Sequence, residues 1–64
     1  MNLREIAQDI VNASNATGND VRVADERLIE EYAGNALNRT FLEYVHIRRS
    51  LREAVKKIRI EEAA

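Results

Sequence analysis

The chain holds 64 residues with ten basic and eleven acidic side chains, a net charge of −1, and neither cysteine nor proline. A chain this short forms a single domain (residues 1–64) and buries only about 60% of the surface its unfolded form exposes, so its margin as a monomer is thin. Without cysteine, disulfides and thiolate metal sites are excluded, and oligomerisation becomes the expected source of added stability.

The absence of proline, with Gly18 and Gly34 placed where one element gives way to the next, predicts an all-α domain of three helices. The first helix is expected from Leu3 to about Asn15. Asn2 serves as N-cap with Glu5 three residues on, and Leu3, Ile6, Ala7, Ile10, Val11 and Ser14 form one face. Gly18 supplies the left-handed residue that closes the turn. The second helix begins at Asn19 or Asp20, or else at Asp25 acting as N-cap; it ends near Ala33-Gly34-Asn35. Its expected apolar face is Val21, Ala24, Leu28, Tyr32 and Ala36, with Ile29 on the flank and Asp25 pointing near it. Thr40 and Glu43 then form a second capping-box signature, and the third helix runs from Phe41 to about Glu61. Helices two and three form an antiparallel hairpin with the first covering one side. At about 1.5 Å per residue the third helix is roughly 30 Å long, so its last turns are expected to project beyond the other two and invite a second copy.

The charge is segregated along the chain. Arg39 to Ile60 carries seven cations against two anions, whereas Met1 to Asn38 carries three against seven. On the third helix Tyr44, Ile47, Leu51, Ala54, Val55 and Ile58 share one sector, and Ile47, Leu51, Val55 and Ile58 are the expected oligomer interface. Beside that sector runs a basic stripe of Arg48, Arg52, Lys56 and Arg59, with Arg49 on its outer edge; Leu42, Val45 and Ile60 lie outside the sector. The stripe either tracks the phosphates of a nucleic acid, lies on a membrane surface, or faces the acidic second helix, where Glu26, Glu30 and Glu31 carry the opposite sign. The last arrangement makes the stripe a matter of register, since exposed ion pairs are worth about 0–1 kcal/mol each.

No catalytic apparatus is visible: one histidine, two serines and two distant glycines supply neither a triad nor a phosphate loop. The Glu43-x-x-His46 spacing matches that of di-iron carboxylate bundles, but His46 points away from the apolar sector, and Glu43 is engaged as a cap. No metal or cofactor is therefore expected, and the chain is not expected to be an enzyme. The Asn-x-Ser/Thr triplets at Asn12, Asn15 and Asn38 are better explained as cap and turn chemistry than as glycosylation sites. The N-terminus lacks the apolar core of a secretory signal, and no apolar run approaches the roughly 20 residues that span a bilayer. A cytoplasmic protein without a membrane partner is expected.

The stretch Asp25 to Tyr32, then Leu37-Asn38-Arg39 with Phe41-Leu42-Glu43, then Arg48 to Leu51 resembles the small helical-hairpin checkpoint proteins of sporulating bacteria that inhibit a sensor histidine kinase. The resemblance covers under half of the chain, needs a gap inside a helix and transfers no functional residue. It implies a mode of action in which a charged helical hairpin docks on another helical bundle. Together these features lead to the expectation of a small regulatory or adaptor protein, of phage or bacterial type, that oligomerises and binds a protein partner through helix–helix contacts. Nucleic-acid binding through Arg48, Arg49, Arg52, Lys56 and Arg59 is the alternative.

Overall fold

The computed structural model describes residues 2–35 and 40–63. They form α1 (Leu3–Ala16), α2 (Val21–Gly34) and α3 (Phe41–Ala63), with no strand among the described residues. Each helix begins on a side chain that takes up an orphan N–H group. Asn2 Oδ1 accepts the Glu5 N–H at 2.8 Å and Asp20 Oδ1 accepts that of Arg22 at 2.9 Å. Thr40 Oγ1 accepts the Glu43 N–H at 3.1 Å and donates to the Glu43 carboxylate at 3.2 Å. With Asp20 as the cap, Asp25 is released from any capping role and sits inside α2.

The turn after α1 is held by its own polar residues. Thr17 Oγ1 donates to the Ser14 carbonyl at 2.8 Å and accepts the Asn19 N–H at 3.2 Å. Gly18 adopts φ +73°, the left-handed region where a Cβ is unfavourable. Ser14 is fully buried, and its hydroxyl donates to the Val21 carbonyl at 3.2 Å, tying the end of α1 to the start of α2.

α2 and α3 run antiparallel, with Gly34 beside Tyr44, Glu26 beside Arg52 and Asp25 beside Arg59. α1 packs on both, and its ends meet the C-terminal part of α3: Arg4 lies 2.8 Å from Glu61, and Asn15 lies 2.6 Å from Arg59. The core is Ala7, Ile10 and Val11 from α1, Ile29 from α2, and Leu51, Val55 and Ile58 from α3. Ile6, Leu28, Ile47 and Ala54 pack against its edges.

Three expectations are corrected by this packing. The interior face of α2 is Asp25, Ile29 and Ala33, rotated by about 100° (one residue step) from the Val21-Ala24-Leu28-Tyr32 face; Ala36, the last member of that expected face, lies outside the described residues. α2 turns in this way because Asp25 meets Arg59 and Ile29 meets the core, while the Ala24-Leu28 side borders α1. Leu51, Val55 and Ile58, expected between copies of the chain, are buried by the chain's own α1 and α2, with Ile47 at the border. The last turns of α3 do not stand free, since Arg4 binds Glu61 and Gln8 Nε2 lies 3.5 Å from Glu62. It is the first turn of α3 that is bare: Phe41 and Leu42 are 76% and 78% exposed.

The two glycines should respond oppositely to alanine. Among the described residues a Cβ on Gly34 meets only Tyr44 Cε2, at an ordinary 3.7 Å, and the backbone there is helical, so Gly34→Ala is expected to stabilise by about 0.5–1 kcal/mol. Gly18→Ala has free space around its methyl but the wrong backbone, and should destabilise by about 1 kcal/mol. Urea unfolding followed by circular dichroism measures both.

Candidate interaction surfaces

Five cations of α3 make up the stripe singled out in the sequence, and the fold treats them differently. Arg59 is the most deeply engaged. Its Nε and Nη2 donate to the two carboxylate oxygens of Asp25 at 3.0 and 2.8 Å, and Nη1 donates to Asn15 Oδ1 at 2.6 Å. The guanidinium thus joins all three helices. The side chains of Arg59 and Asp25 are only 24% and 11% exposed, so water screens this forked pair far less than a surface pair.

Arg52 makes the same two-pronged contact with Glu26, at 2.8 and 2.9 Å, in a wetter setting where both side chains are more than 40% exposed. The hydrogen bonds from Arg52 hold the Glu26 carboxyl below its ordinary value near 4.5, against a smaller opposing effect of burial, and the charge of Arg48 adds to the lowering. Arg48 itself sits 5.2 Å from the centre of the Tyr44 ring, a cation–π distance. Its Nε is buried and makes no hydrogen bond among the described residues. Arg49 and Lys56 are exposed and make no ion pair among the described residues.

The inner edge of the stripe is therefore structural, and its outer edge, Arg49 and Lys56, is exposed. Glu26 was a visible counter-charge; Asp25 and Asn15 were not assigned this role. The available signal was an aspartate bordering an apolar helical face, which burial makes costly unless a cation meets it. Glu43 is bonded to Thr40, and no three metal-ligating side chains converge among the described residues. Asn12 and Asn15 are engaged as hydrogen-bond acceptors, from Gln8 and Arg59; Asn38 lies outside the described residues. No described helix is long and apolar enough to cross a membrane.

A second surface, missed in the sequence, follows from the rotation of α2. With Asp25, Ile29 and Ala33 turned inward, Leu28 and Tyr32 border a groove shared with α1, a cleft of about 510 Å³. Ile6, Ile10, Ala13 and Leu28 line it, and exposed Asp9 and Glu31 stand at its edges. Its apolar walls are continuous with the core through Ile10. No single helix carries a signal for it, because its two walls belong to different helices.

The fold and its surfaces define a three-helix, all-α protein with a basic outer ridge on α3 and an acid-edged apolar groove between α1 and α2. Comparison of the chain with protein-family models, with curated proteins and with solved structures finds no match.

Two measurements check the electrostatics. Removing one member of the Arg59–Asp25 pair, by Asp25→Asn or Arg59→Met, leaves a partly buried charge without its partner and should destabilise by about 2–4 kcal/mol. The double variant Asp25→Leu/Arg59→Met should recover most of that loss, so that a double-mutant cycle in urea shows strong coupling. For Glu26, a folded pKa below the unfolded one means that its contribution is present above about pH 4.5 and disappears as pH falls through the folded value. The stability difference between the wild type and Glu26→Gln, about 0–1 kcal/mol near neutral pH because the pair is solvent-screened, should shrink toward zero in acid.

Proposed function

We propose that this chain is a non-enzymatic regulatory or adaptor protein that acts by binding protein helices, with the groove between α1 and α2 as its receiving site. The observation that carries this proposal is the groove itself: apolar walls continuous with the core, open to solvent and edged by two exposed carboxylates. That combination suits an amphipathic helix with apolar anchors and flanking cations. It suits a phosphate backbone poorly.

Nucleic-acid binding through Arg48, Arg49, Arg52, Lys56 and Arg59 loses support from the same geometry. Arg52 and Arg59 are each gripped by a carboxylate, and Arg48 lies against Tyr44. With Arg49 and Lys56 as the remaining contacts, the slope of log affinity against log salt falls to about −2, too shallow for more than weak non-specific association.

The test places a photo-crosslinking residue at Ala13, in the wall of the groove, in cells expressing the protein. An adduct to a polypeptide is expected, with its yield falling several-fold when Asp9 and Glu31 are replaced by lysine. No protein adduct at Ala13, together with tight binding of labelled duplex or single-stranded nucleic acid at about 150 mM salt, overturns the proposal in favour of the alternative.

A further inference from the structure

We infer that the cleft between α2 and α3 binds a small anionic amphiphile, in its simplest form a free medium-chain carboxylate. This cleft shares no lining residue with the α1–α2 groove and is a separate site. Its volume of about 460 Å³ falls within the ~300–1,000 Å³ of small-molecule sites.

The shape follows from the two ion pairs that cross the seam. Asp25 and Glu26 are neighbours on α2, whereas their partners Arg59 and Arg52 stand seven positions apart on α3, roughly 10 Å along the helix. The bridges therefore diverge toward α3, and Val55 and Lys56 occupy the interval between them. Ile29 and Val55, 1% and 3% exposed, form the floor, with Val21 beside them. The methylene stems of Arg52, Lys56 and Arg59 carry the apolar wall up from that floor to a charged rim. A helix is about 10–12 Å across with its side chains, too wide to settle between the bridges. An alkyl chain is slim enough.

The charge of the rim selects the head group. Four cations line the cleft against two anions. Both carboxylates are occupied, since each oxygen of Asp25 and of Glu26 accepts from its own arginine. Arg22 on α2 and Lys56 on α3 remain, both exposed and neither in an ion pair among the described residues. Other acids stand nearby: Glu30 and Glu53 act on Arg52, and Glu62 acts on Arg59, but none of them lines the cleft. The Asp20 carboxylate caps α2. An anionic head at the rim meets two cations from two helices, and its apolar tail lies between the bridges.

The probe is sodium decanoate, titrated into the full chain with methyl-labelled valine and isoleucine and followed by NMR at about 150 mM salt. Saturable shifts are expected at the methyls of Val21, Ile29 and Val55. Octanoate should bind more weakly, by up to about fourfold for each methylene removed. Arg22→Gln/Lys56→Gln should weaken decanoate by about three- to tenfold, the range for two partly exposed ion pairs, while neutral decanol binds the variant and the wild type alike. Both positions are exposed, and circular dichroism verifies that helix content is kept; should the double variant lose helix, Lys56→Gln alone replaces it. Absence of saturable shifts overturns the inference. So does a response confined to Ile6 and Ile10 in the α1–α2 groove, or a variant that binds decanoate as the wild type does. Binding to vesicles of anionic phospholipid without binding to free decanoate also overturns it, in favour of a membrane surface.

Discussion

Arg59 holds the three helices in one register. Its fork grips both oxygens of Asp25 on α2 while its remaining nitrogen reaches Asn15 at the end of α1. A carboxylate this close to the core has few places to go, since burying it without a cation costs several kcal/mol. The pair therefore fixes the rotation of α2 about its axis. That rotation brings Ile29 and Ala33 inward with Asp25 and leaves Leu28 and Tyr32 beside the groove. A buried ion pair of this kind contributes modestly to net stability compared with a well-packed apolar substitute. What it contributes here is the choice of one packing over its neighbours, which matters in a small core, with eight buried apolar residues among those described.

The remaining polar contacts follow the same division of labour. The Glu26–Arg52 pair sits further out along the α2–α3 seam, where solvent weakens it and its effect is mainly to align the hairpin. The Arg4–Glu61 pair fastens the other end of α1 to the last turns of α3, and its hydrogen bonds lower the Glu61 carboxyl below its ordinary value. Ser14 closes the α1–α2 corner by donating to a backbone carbonyl. Between these points the apolar side chains of α1 and α3 meet directly. The segregated charge of the sequence is thus partly self-complementing along one edge of α3, and Arg49, Lys56 and Lys57 make no ion pair among the described residues.

Much of the local structure was legible in the residue order because its causes are local. The caps at Asn2 and Thr40, the left-handed Gly18 and the apolar sector of α3 each depend on residues within a turn or two of one another. The face of α2 was misjudged because Leu28 and Ile29 are both apolar and adjacent, so hydrophobicity gives two overlapping stripes. The deciding term is the long-range attraction of Asp25 to Arg59, 34 positions away in the chain. The interface residues were misjudged for a related reason. An apolar stripe on one helix states that it will be covered, and whether the chain or a second copy covers it depends on how the other helices fold back.

The sequence by itself determined the three helices, the caps at Asn2 and Thr40, the hairpin and the basic edge of α3, since these follow from hydrogen-bonding and periodicity within each segment, while the start of α2 stayed open between Asp20 and Asp25. Only the tertiary structure decided that Leu51, Val55 and Ile58 close the chain's own core, that Arg52 and Arg59 are bound internally, and that an acid-edged groove opens between α1 and α2. Those outcomes depend on the rotation and placement of whole helices, where one carboxylate finding one guanidinium outweighs the small difference between neighbouring apolar stripes.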